Sequence, residues 1–208
     1  MLRIALTKAG RIEEKAVELL NKSGYNTREL TDKGRRLLFG VNDLQIVLAK
    51  GADVITYVEH GVCDIGIVGK DTIMEHSRAS YGFYEVLDLN IAECRFALAG
   101  LNDKDFYAGY NQKVIATSYP NVTKHYFNGK GIDVEIVKIE GSVELAPILG
   151  LADAIVDIVE SGATLRENGL VVYEEIARIS TRVIVNRASI KLKKAEVDDF
   201  VSRIAGAL

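Results

Sequence analysis

Short apolar runs alternate along the chain with amphipathic stretches, and that alternation predicts an α/β fold. Residues 2–6 read as a buried strand. The spacing of Ile12, Ala16, Val17, Leu19 and Leu20 predicts a helix over 12–20, which Ser23-Gly24 stops. The polar, basic stretch 31–36 predicts a loop. Further strands are predicted at 44–49, 64–68, 84–89, 95–99, 114–117, 134–139, 154–159 and 183–185. Helices are predicted at 53–60, from Tyr119-Pro120-Asn121 to about Asn128, and at 195–207. A short helix is expected around Glu144 and Leu145, and a helical stretch through Arg166 and Glu167. No repeat, low-complexity segment or Pro/Gly-rich linker marks a domain boundary.

Composition narrows the classes of function. The 208 residues are 48% hydrophobic and 26% charged, as in an ordinary globular protein. Lys plus Arg number 26 against 29 Asp plus Glu, a formal charge of −3, which argues against a general nucleic-acid binder. An anionic substrate must then be held by local donors rather than by the overall field. The amino terminus is too poor in apolar residues for a signal peptide, and no run is long enough to span a membrane, so the chain is expected to be cytoplasmic. Cys63 and Cys94 lack a CxxC spacing and read as small buried apolar residues. His60, His76 and His125 are scattered without metal-ligand spacing, so no protein-held metal is expected, and no Ser-His-acid or Cys-His arrangement is visible.

The chemistry concentrates between Asp153 and Leu165. An apolar strand carrying one acid, Asp157, ends in the loop Ser161-Gly162-Ala163-Thr164 before a helical stretch. Such a loop can present backbone N–H groups to a phosphate; Gly162 permits close approach, and the Ser161 and Thr164 hydroxyls add donors. Asp157 can accept hydrogen bonds from ribose hydroxyls. The alternative is a strand, a capped turn and a helix with no ligand. Lys8-Ala9-Gly10-Arg11 follows the first strand and suits either polyphosphate or a plain surface turn. Arg35, Arg36 and Lys50 are further candidates for pyrophosphate. The segment Gly66-Ile67-Val68-Gly69-Lys70-Asp71 lacks the glycine spacing and the Ser/Thr of a P-loop.

The longer pattern resembles the ATP phosphoribosyltransferase family. Glu144, Gly150, Ala152, Ile155, Asp157, Ile158, Ser161-Gly162, Thr164 and Leu165 stand at the spacing of that family's signature. The stretches 57–61, 64–71, 116–121 and 139–170 are similar to it as well. The resemblance implies attack by adenine N1 of ATP on C1 of phosphoribosyl pyrophosphate, the first step of histidine synthesis. It implies that Ser161, Gly162, Ala163 and Thr164 take the 5′-phosphate and Asp157 the ribose, with Asp153 and Ala154 nearby. Lys8, Arg11 and Lys50 would then face the polyphosphate, although Lys50 stands where the family usually has arginine, whose bidentate grip a lysine lacks. Magnesium is implied as a substrate-bound ion. The fold implied is a two-lobed one of the type II periplasmic-binding-protein kind, with the active site in the interlobe cleft. Residues 1–91 plus 181–208 would form the first lobe, and 92–180 the second, carrying the phosphate loop. A chain of this length resembles the short form, which works in a hetero-oligomer with a regulatory subunit similar to histidyl-tRNA synthetase. A solute-binding protein of the same fold, or a phosphoribosyltransferase acting on another base, would share many of these features.

Overall fold

The computed structural model describes residues 1–76, 82–109 and 111–208. The chain opens with β1 (Leu2–Thr7), α1 (Gly10–Lys22), α2 (Arg28–Thr31), β2 (Leu38–Val41), β3 (Leu44–Ala49), α3 (Gly51–Glu59), β4 (Ile65–Gly69), α4 (Lys70–Glu75) and β5 (Phe83–Asp88). A middle stretch holds β6 (Cys94–Leu101), β7 (Lys113–Thr117), α5 (Pro120–Gly129), β8 (Val134–Lys138), α6 (Leu145–Ile148), β9 (Ala154–Val159), α7 (Ala163–Glu167) and β10 (Leu170–Ile179). The last part adds β11 (Thr181–Asn186), α8 (Arg187–Leu192) and α9 (Lys194–Ala205). Two compact units result: Met1–Glu93 with Ser180–Leu208, and Cys94–Ile179.

The first unit is built on a six-stranded sheet in the order β2-β3-β1-β4-β11-β5. β1 runs parallel to β3 and β4, whereas β11 is antiparallel to both β4 and β5. Period-two alternation gives this sheet two buried faces. Ile4, Leu6, Ile65, Ile67, Val183 and Val185 share one core with Ala16, Leu19 and Leu20 of α1 and Val197, Phe200 and Ile204 of α9. Ala5, Val68 and Ile184 face the opposite core, with Val54, Ile55 and Val58 of α3. Asn186 caps α8 by accepting from the Ala188 and Ser189 N–H groups, so the returning strand passes directly into the closing helices.

The second unit has a five-stranded sheet in the order β10-β6-β9-β7-β8. β9 lies between β6, antiparallel, and β7, parallel. On one face the small side chains Ala97, Ala99 and Ala116 leave room for Val143, Ala146 and Leu165 to pack close. The strand β10 has no counterpart among the predicted elements. Its register shifts between Val172 and Glu174 and again between Glu175 and Ala177, so the apolar alternation that marks a strand is interrupted. The short elements α2, β2, α4 and α8 were likewise not legible from periodicity. Among the described residues, no helix is long and apolar enough to cross a membrane.

Candidate functional site

In the second unit, β9 delivers Asp157 and then the loop. Gly162 sits at φ 73°, ψ 11°, the left-handed conformation that reverses the chain into α7. Below the loop, Leu165 is buried and fixes the first turn of α7 to the core. The Ala163 N–H donates to Ser161 Oγ at 3.3 Å, and Arg166 Nη1 donates to the Ser161 carbonyl at 3.0 Å. Asn168 Nδ2 donates to the Thr164 carbonyl at 2.9 Å. These local bonds set the backbone of the loop while the Ser161 and Thr164 side chains stay exposed. Gly162, the N-cap of α7, makes no side-chain capping bond, and Ser161 Oγ takes the Ala163 N–H. The loop therefore offers hydroxyls and backbone donors on a fixed base.

Asp157 is half-buried on β9. Burial pushes its carboxyl up to about 6, the Ile158 N–H acts in the opposite direction, and the Glu144 carboxylate adds to the rise. Glu144, the N-cap position of α6, thus bears on the charge of Asp157, whereas in the sequence it served only as one letter of a longer pattern. Asp153 and Ala154 are placed differently. Asp153 precedes β9 and takes the Val114 N–H on Oδ2 at 2.9 Å, while its own N–H donates to the Val114 carbonyl at 2.8 Å. Ala154 is fully buried. The six residues of β9, roughly 20 Å of extended chain, separate Asp153 from the loop, and Ala154 is the first of them.

In the first unit, three parallel strands end at a common edge. Thr7 is in register with Ala49, and Leu6 with Ile67, so Lys8, Lys50 and Lys70 follow the carboxyl ends of β1, β3 and β4. The Lys8 N–H donates to the Ala49 carbonyl at 2.7 Å, which places Lys8 beside Lys50. Carboxyl ends of parallel strands, where connections leave in both directions, are where α/β sheets bind ligands. Lys8, Arg11 and Lys50 are all exposed there, and the N-cap residues of α1 and α3, Ala9 and Lys50, make no side-chain capping bond. Lys70 is engaged otherwise, by Glu85 Oε1 at 2.6 Å from its Nζ. Arg36 pairs with Glu29 at 3.0 Å and lies over the Phe39 ring, whereas Arg35 is exposed.

The turn that carries Lys8 and Arg11 is strained. Ala9 stands at φ 66°, ψ 155°, a region that residues with a Cβ rarely occupy, at a cost of about 1–3 kcal/mol. Its N–H donates to Glu13 Oε2, and the second oxygen of Glu13 accepts from Lys33 Nζ.

Other candidates resolve into structure. Cys63 is buried, and burial pushes its thiol up to about 11, which makes it inert as a nucleophile at neutral pH. Among the described residues no group of three or more His, Cys, Asp or Glu is placed to hold a metal ion. A polar cavity lined by Arg3, Gln45, Asp64 and Lys193 and an apolar one lined by Leu2, Tyr25, Leu44 and Phe200 lie at the amino ends of β1 and β3, away from Lys8 and Lys50.

Three comparisons bear on this arrangement. The HisG family, described as ATP phosphoribosyltransferase, matches residues 50–206. An ATP phosphoribosyltransferase of Clostridium kluyveri is 58% identical over 205 residues, covering 98% of this chain and 92% of its own. One from Clostridium acetobutylicum is 57% identical over 205 residues, with 98% and 94% covered. Among solved structures, the ATP phosphoribosyl transferase (HisG:HisZ) complex from Thermotoga maritima superposes with a TM-score of 0.85 at 36% identity, covering 100% of this chain and 98% of that one. The periplasmic aliphatic sulphonate binding protein SsuA from Escherichia coli superposes with a TM-score of 0.61 at 13% identity, covering 99% of this chain and 72% of that one, a likeness of fold alone. The architecture is thus the two-lobed kind of type II periplasmic binding proteins.

Proposed function

This chain belongs to the HisG family of ATP phosphoribosyltransferases, and from that membership we propose how its own residues carry the reaction. The enzyme joins ATP to phosphoribosyl pyrophosphate, giving N1-(5-phosphoribosyl)-ATP and pyrophosphate, the first step of histidine biosynthesis. Adenine N1 brings its own lone pair, so the bond-forming step needs no strong protein base. What it needs is alignment of N1 with C1 and neutralisation of the departing pyrophosphate.

The second unit anchors the sugar phosphate. Thr164 and Ser161 hydroxyls with the backbone around Gly162 donate to the 5′-phosphate, each charge-assisted bond contributing roughly 1.5–3 kcal/mol. Asp157, with Glu144 beside it, accepts from the ribose hydroxyls. Lys8, Arg11 and Lys50 of the first unit meet pyrophosphate charge, with Lys50 as a point charge rather than a bidentate clamp. Magnesium enters as part of the phosphoribosyl pyrophosphate substrate, bound chiefly by substrate oxygens. As in the complex from Thermotoga maritima, the chain works with a regulatory subunit.

The observation that carries the reading is the delivery of Asp157 and the left-handed Gly162 turn by one strand, within the stretch that matches the family. Thr164→Val tests it, because the side chain is exposed and its loss leaves the core untouched. Affinity for phosphoribosyl pyrophosphate should fall about tenfold or more by calorimetry, at unchanged Tm. Unchanged affinity removes the loop from the site. Offering adenine, other bases and ATP as acceptors tests the base: turnover with another base in preference to ATP would overturn the assignment.

A further inference from the structure

We propose that Glu13 is a positioning residue whose buried carboxylate, tied to the Ala9 N–H and the Lys33 ammonium, locks the turn that aims Lys8 and Arg11 at pyrophosphate. The inference rests on the reading of that turn as a polyphosphate contact. Glu13 lies in the first turn of α1, where an acid is ordinarily explained by the helix dipole. A solvated carboxylate would serve that purpose. Glu13 is only 5% exposed, and its two oxygens are divided between two partners.

One partner is the strained residue itself. Ala9 and Gly10 both lie at positive φ, 66° and 71°. At Gly10 an added Cβ would meet nothing within 4 Å, so glycine answers the conformation there. Ala9 carries a methyl group in the same disfavoured half of the map. Its N–H is held by Glu13, an external bond that offsets the strain. The other partner lies elsewhere in the chain. Lys33 follows α2, is 36% exposed at its side chain, and supplies the counter-charge that makes burial of Glu13 tolerable. Glu13 therefore joins the turn after β1 to the 32–37 segment, and both cations of the turn flank the residue it holds.

The test uses the intact chain with two probes that report on different parts of the substrate: inorganic pyrophosphate with magnesium, and ribose 5-phosphate. Glu13→Gln puts an amide against the Lys33 ammonium and breaks the pair. It should weaken pyrophosphate about tenfold while leaving ribose 5-phosphate affinity unchanged. Ala9→Gly in the Glu13→Gln background removes the strain and should restore most of the pyrophosphate affinity. Lys33→Met, a milder surface change, should show the same selective loss to a smaller degree and serves if Glu13→Gln does not fold. Equal loss of both ligands would mean general damage and overturn the proposal. Normal pyrophosphate binding by Glu13→Gln and Lys33→Met would overturn it too. Lys8→Ala separates the two levels. If it weakens pyrophosphate while the Glu13 and Lys33 variants do not, positioning by Glu13 fails and the site reading stands. If Lys8→Ala also binds normally, the site reading fails first.

Discussion

At the residue scale, the proton affinity of Asp157 sets when the carboxylate proposed to meet ribose is charged. Its carboxyl is raised from 3.8 to about 6, chiefly by burial. The folded state thus holds the proton more tightly than the unfolded chain does. The stability this contributes is present in full below the ordinary carboxylate range and is lost as pH rises through 6. Binding runs the other way, since ribose hydroxyls need an acceptor. Affinity for phosphoribosyl pyrophosphate should climb between pH 5 and pH 7 with a midpoint near 6. The substrate phosphate also ionises at about pH 6, so the comparison must be with Asp157→Asn, where only the phosphate's contribution remains. A variant with the same pH profile and the same affinity as the wild type would take Asp157 out of the pocket.

At the element scale, β4 shows how the sheet's two-sided burial fixes its sequence. A Cβ added at Gly66 would come within 2.9 Å of Ile184 Cγ1, Val54 Cγ1 and Val58 Cγ2, buried side chains of β11 and α3 that would have to shift. Gly66→Ala should cost about 1–3 kcal/mol through overpacking. In a chain of this size that lowers Tm by roughly 3–10 °C in a thermal melt, and an unchanged Tm would show that α3 yields easily. The same two-sided burial is why strands such as 44–49 and 154–159 were legible: their apolar runs are short and interrupted only by Gln45 and Asp157. β10 was not, because two register shifts move its inward positions and Glu174-Glu175 interrupts its apolar alternation. The site divided along similar lines. Ser161, Gly162 and Thr164 fall in one short segment, so the proposed loop could be singled out in the sequence, although only the longer family pattern set it apart from a plain turn. Asp153, close in sequence, stands at the far end of an extended strand, and the contacts of Glu13 with Ala9 and with Lys33, twenty positions on, are made only by the fold.

At the scale of the whole molecule, the first unit is completed only when the chain returns: β11 inserts between β4 and β5, and Phe200 and Ile204 of α9 fill the core under β1. The second unit, by contrast, is one continuous segment, Cys94–Ile179. A relative of this chain is found in a HisG:HisZ complex from Thermotoga maritima, and a partner of that kind is the regulatory subunit proposed above. A partner that binds the active conformation more tightly shifts the population toward it by no more than its differential affinity. The isolated chain should therefore turn over slowly and ignore histidine. Adding the regulatory subunit should raise the rate and, in the same titration, bring inhibition by histidine. Steady-state assays with and without the partner decide the matter: a lone chain that is fully active and already inhibited by histidine would place both properties within these two units.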